Sequence, residues 1–67
     1  MNGDKKITIE LEEYGEISAS MSFLNNVVCL FFEDAKEHEK QFPYMAEGLR
    51  RKAKIIYTAL EENGYYE

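Results

Sequence analysis

Two stretches of alternating apolar residues share one parity, and that parity restricts how the first third of the chain folds. Ile7, Ile9 and Leu11 alternate with Thr8, Glu10 and Glu12; Ile17, Ala19, Met21 and Phe23 alternate with Ser18, Ser20 and Ser22. A period of two belongs to a half-buried strand, so the pattern predicts two strands. Residues directly opposite in an antiparallel pair share a face, so odd must meet odd. A two-residue loop that pairs Glu13 with Glu16 is thereby excluded. A three-residue loop, Glu13-Tyr14-Gly15, pairs Leu11 with Ile17, Ile9 with Ala19 and Ile7 with Met21. It also puts Gly15 at the loop's left-handed position, where glycine carries no steric penalty. This register sets Glu12 against Glu16, a like-charge pair at the open end of the ladder.

The middle segment, Val27 to Phe32, is compatible with two structures. A turn at Asn25-Asn26 would make it a third strand, giving a three-stranded meander followed by one long C-terminal helix. A cap at Asn25 or Asn26 would instead start a helix there. Leu24, Val28, Phe31 and Ala35 recur at steps of four, three and four, and the run continues into helix formers up to Lys40. A strand ending at Phe32 would strand about nine polar residues in a connection longer than most. The helix is the better reading.

The last third carries a helical stripe: Phe42, Ala46, Leu49, Ala53, Ile56 and Leu60. Pro43 suits the first helical turn, where its missing N–H is no loss. Asn63-Gly64 is a stop signal, with Gly64 left-handed and Tyr65 folding back toward Leu60. Gly48 inside the helix suggests the close approach of another backbone. The predicted fold is therefore a single α+β domain over residues 1–67. An N-terminal β-hairpin precedes two helices (β-β-α-α), both packed on one face of the hairpin.

Ordering 67 residues costs on the order of 100 kcal/mol, which asks for about 4,000 Å² of apolar burial. Small domains meet that demand with disulfides, metal or a partner subunit. One cysteine forms no internal disulfide, and no Cys/His cluster offers a zinc site. A two-stranded sheet also leaves an open edge on each strand. Both considerations lead to a homodimer. Cys29, inside the apolar run, reads as a buried reduced thiol in a cytoplasmic protein. The chain shows no run of signal-peptide or membrane-spanning length.

Candidate chemistry is sparse. His38 is the sole imidazole, lies among acids and lacks companion ligands, so a solvated histidine outweighs a metal site. Ser18, Ser20 and Ser22 are expected on the outer face of the hairpin, with nothing to bring His38 beside them. No glycine-rich phosphate loop is present. The expectation is no enzyme, no cofactor and no bound metal.

Charge supplies the remaining candidates. The net charge of −5 argues against direct nucleic-acid binding and against an anionic membrane surface. Glu33, Asp34 and Glu37 gather on the predicted first helix; Arg50, Arg51 and Lys54, with Lys52, form the one basic patch. The bases are expected to pair with the acidic first helix, within one molecule or across a dimer. Tyr65 and Tyr66 follow the last helix as a lid over the core or an exposed interface anchor. These eight residues, Lys52 aside, are the candidate partner-binding set. The resulting expectation is a small acidic interaction or structural module acting as a homodimer. The alternative is an acidic inhibitor or regulator of a nucleic-acid-binding protein, a charge mimic of the type mobile elements encode, with a basic protein as partner.

Overall fold

A computed structural model describes residues 2–67, Asn2 through its backbone alone. After a short 3-10 turn at Asn2–Asp4 come β1 (Lys6–Glu10), a second 3-10 turn (Glu12–Tyr14), β2 (Glu16–Ser20), α1 (Met21–His38) and α2 (Pro43–Glu62). The order is β-β-α-α, an antiparallel hairpin followed by two helices. The meander is thereby excluded: Val27 to Phe32 lies wholly within α1.

The hairpin keeps the parity expected but not the register. Ile9 faces Ile17 and Ile7 faces Ala19, a shift of two residues from the pairing of Ile9 with Ala19. Leu11 leaves the ladder instead of opposing Ile17, and turns its side chain into the core. Its N–H donates to the Gly15 carbonyl at 2.6 Å, and Tyr14 N–H donates back to Leu11 at 3.0 Å. The loop is therefore five residues long, and burying Leu11 decides the matter. Gly15 does take a positive φ of +91°, with ψ of −149°, in the extended region that only glycine occupies readily. The like-charge pair becomes Glu10 opposite Glu16, not Glu12 opposite Glu16.

Met21 and Phe23 belong to a helix, not to the second strand. Ser20 ends β2 and caps α1 in the same stroke: its hydroxyl accepts from the Phe23 N–H at 3.3 Å. The cap is thus five residues earlier than Asn25. Met21 satisfies two rhythms at once, the alternation before it and the helical series Met21, Leu24, Val28, Phe31, Ala35. Full burial at the first turn of α1 favours the second. Ser22 moves with it, off the hairpin surface, and donates to the Gly3 carbonyl at 3.1 Å.

The end of α2 matches expectation closely. Gly64 has φ +76°. Tyr65 N–H donates to the Leu60 carbonyl and Gly64 N–H to Glu61, the paired bonds of a Schellman cap. Gly48 does not admit a second backbone. A Cβ there would meet only the Tyr14 hydroxyl, at 3.7 Å.

One core unites the layers. Ile9 and Leu11 from the hairpin pack with Met21, Leu24 and Val28 of α1 and Ala53, Ile56 and Leu60 of α2, flanked by Ile7, Ile17 and Ala19. Those last three share the odd face of the hairpin, so both helices lie against one side of it. Five-residue strands reach about 17 Å, whereas helices of 18 and 20 residues reach about 27 and 30 Å. The helix pair consequently overshoots the hairpin. At that far end Ala35 and Ala46 are fully buried, small side chains beside the short Glu39–Phe42 connection. The molecule is 40 Å along its longest axis and 15 Å along its shortest.

Candidate interaction surface

Acidic and basic candidates come together less than expected. Glu33, Asp34 and Glu37 are exposed on α1 and make none of the ion pairs found among the described residues. Arg50 does reach the first helix, but at its last residue boundary, where it pairs with Glu39. Arg51 turns to Glu47 of its own helix at 2.8 Å. Lys54 pairs with no acid of α1; it lies beside Ile9, Ile55 and Glu62 along the hairpin side of α2. Helical phase explains the difference. Arg50 and Arg51 stand 100° apart around α2, so one helix cannot turn both toward α1.

The tyrosines form a C-terminal lid. Tyr65 packs against the core cluster. Tyr66 stacks on Tyr57 with ring centroids 5.0 Å apart and meets Tyr65 edge-on at 5.1 Å. Its hydroxyl donates to Asn25 Oδ1 at 2.7 Å, tying the chain end back to α1. Partial burial of the ring raises the Tyr66 pKa above 10.0, and repulsion from Tyr57, Tyr65, Cys29 and Glu61 in their ionised forms adds to the rise. Tyr44 is apart from this group and almost fully exposed.

Cys29 is exposed, contrary to the buried thiol expected. It falls between Val28, which faces the core, and Leu30, which is exposed too; a contiguous apolar run on a helix must present some members outward. His38 is half-buried, edge-on to Phe42 at 6.1 Å. Among the described residues no three His, Cys, Asp or Glu side chains gather where a metal ion would sit. No helix among the described residues is long and apolar enough to cross a membrane.

Two features escaped the sequence patterns. Lys52 holds its ammonium 4.5 Å from the Tyr14 ring centre and 5.8 Å from that of Phe31, fastening the hairpin turn to both helices. The Leu11 turn is what carries Tyr14 there, so a wrong register hides it. The second is a shallow groove of about 390 Å³ between β1 and α2, lined by Ile9, Lys54, Ile55, Thr58, Ala59 and Glu62. Ile55 and Ala59, one turn apart and off the main stripe of α2, were its only sequence trace. The class of protein defined here is a two-stranded hairpin supporting an antiparallel helix pair. Comparison with known protein families, curated proteins and solved structures finds no match.

Proposed function

We propose that this chain is a small protein-interaction module that works as a homodimer. The observation carrying the reading is excess surface. The chain exposes 4927 Å², against about 4,400 Å² for a compact monomer of its mass. Its radius of gyration, 12.2 Å, likewise exceeds the roughly 11 Å of a compact chain this long. The surplus of about 500 Å² approaches the share that one partner contributes to a standard interface, about 800 Å². Much of that surface is apolar: Phe23, Leu30, Phe42 and Met45 are all 45–55% exposed. Burying part of this surplus against a second copy is the device left to a small chain with one cysteine and no Cys/His cluster. Sedimentation equilibrium from about 1 to 100 micromolar tests the reading, with masses rising from one chain toward two as concentration increases. A single 7.8 kDa species throughout refutes it.

A second reading rests on Glu33, Asp34 and Glu37, exposed carboxylates on α1 that form no ion pair among the described residues. They suit contact with the basic groove of a nucleic-acid-binding protein. Such binding weakens steeply with salt, and binding indifferent to salt refutes it.

A further inference from the structure

We propose that two copies join through the free edge of β1 and the adjoining flank of α2, forming one four-stranded antiparallel sheet with four helices on a single face. The inference rests on the homodimer reading and specifies its interface. Backbone geometry identifies the edge. Met21 N–H donates to Lys5 and Leu11 N–H to Gly15, bonds that bracket the ladder. Hydrogen-bonded pairs recur every second residue in an antiparallel ladder. Pairs Ile7–Ala19 and Ile9–Ile17 are therefore the bonded ones, and Lys6, Thr8 and Glu10 aim their backbone N–H and C=O away from β2. The short contact between the Thr8 and Ser18 hydroxyls, 3.0 Å, fits the closer side-chain spacing of a non-bonded pair.

The strand Lys6-Ile7-Thr8-Ile9-Glu10 is complementary to itself. Paired antiparallel about a two-fold axis at Thr8, it sets Lys6 opposite Glu10 of the second copy at both ends. All three outward-facing residues then meet outward-facing residues. Centring on Ile9 instead would oppose Glu10 to Thr8 and lose both charge pairs. The axis at Thr8 keeps Ile7 and Ile9 of the two copies on the same face, so both helix pairs lie on one side. β2 offers no equivalent: self-pairing about Ser18 would set Glu16 against Ser20.

The flank of α2 carries the same symmetry independently. Lys54, Thr58 and Glu62 are exposed one turn apart. Antiparallel crossing of α2 with its copy at Thr58 brings Lys54 to Glu62 twice. Thr58 and Ala59 are small enough for close approach, and Ile55 and Ile9 line the groove that such a contact would close. An isologous contact requires a surface that matches itself under rotation. Here the strand does so about Thr8 and the helix about Thr58, which lines the groove together with Ile9, the neighbour of Thr8 in β1.

Charge exchange at the strand ends tests this by sedimentation equilibrium. Glu10→Lys sets lysine opposite Lys6 of the second copy, and the dimer dissociation constant is expected to rise at least about tenfold. Within one chain the same change replaces the Glu10–Glu16 repulsion with attraction, so weaker association cannot be ascribed to misfolding. The double variant Lys6→Glu/Glu10→Lys restores opposite charges and is expected to return to within roughly threefold of the wild type. Thr8→Pro removes an outward N–H, a position where edge strands tolerate proline. It is expected to keep the far-ultraviolet circular dichroism spectrum and lose the dimer. A wild-type dimer that Glu10→Lys leaves unchanged overturns this interface while the homodimer reading stands. A wild-type chain that stays at one-chain mass overturns both.

Discussion

The same substitution at two glycines should move stability in opposite directions. Gly48 lies inside α2, and a Cβ there meets only the Tyr14 hydroxyl, at ordinary van der Waals distance, 3.7 Å. Alanine removes the conformational freedom that glycine loses on helix formation, a gain of about 0.5–1 kcal/mol. Gly64 holds φ at +76° in the Schellman cap, where an L side chain costs roughly 1–2 kcal/mol. A chain of 67 residues has an unfolding entropy of about 140 cal/mol/K near its midpoint, so 1 kcal/mol shifts Tm by about 7 °C. Gly48→Ala is expected to raise Tm by about 4–7 °C, and Gly64→Ala to lower it by about 7 °C or more. Thermal circular dichroism at one fixed protein concentration reads both, because the Tm of a self-associating chain varies with concentration. A lower Tm for Gly48→Ala would mean that another backbone does approach that glycine. A neutral Gly64→Ala would remove the left-handed cap.

The start of α1 gives a contrast between neighbours: Ser20→Ala removes the hydroxyl that accepts from Phe23 N–H and should cost about 1 kcal/mol. Asn26→Ala, an exposed position in the helix interior, should cost nothing in the same thermal scan; reversed effects would move the cap to the asparagines. Tyr66 makes stability pH-dependent at the alkaline end. Its folded pKa is raised above 10.0, so the folded state holds the proton more tightly than the unfolded state. Its contribution is fully present below pH 10.0 and falls as pH rises through the folded pKa. Tyr66→Phe should flatten that decline in urea melts taken from neutral to strongly alkaline pH, and an unchanged decline would assign it to other groups.

Much of the architecture was legible in the chain's periodicities. Alternation with shared parity implied an antiparallel hairpin, and the 3–4 stripe from Ala46 to Leu60 implied α2. Both are local consequences of where successive side chains point, 180° apart in a strand and 100° in a helix. The cap at Gly64 was equally local, since only a few residue types accept its backbone conformation. Of the candidate surface, the lid of Tyr65 and Tyr66 was visible as a cluster, whereas its tether to Asn25 was not, being a contact between residues 41 apart.

The sequence by itself determined the strands' parity and α2 with both of its ends, because each follows from spacing within one or two turns of backbone. Tertiary structure alone decided the register of the hairpin, the loss of Leu11 from the ladder and the handing of Met21 from strand to helix. Each of those positions satisfied two local patterns equally well. The tie was broken by burial against a helix 40 residues away, where a side chain gains far more from leaving water than from extending a ladder by one pair.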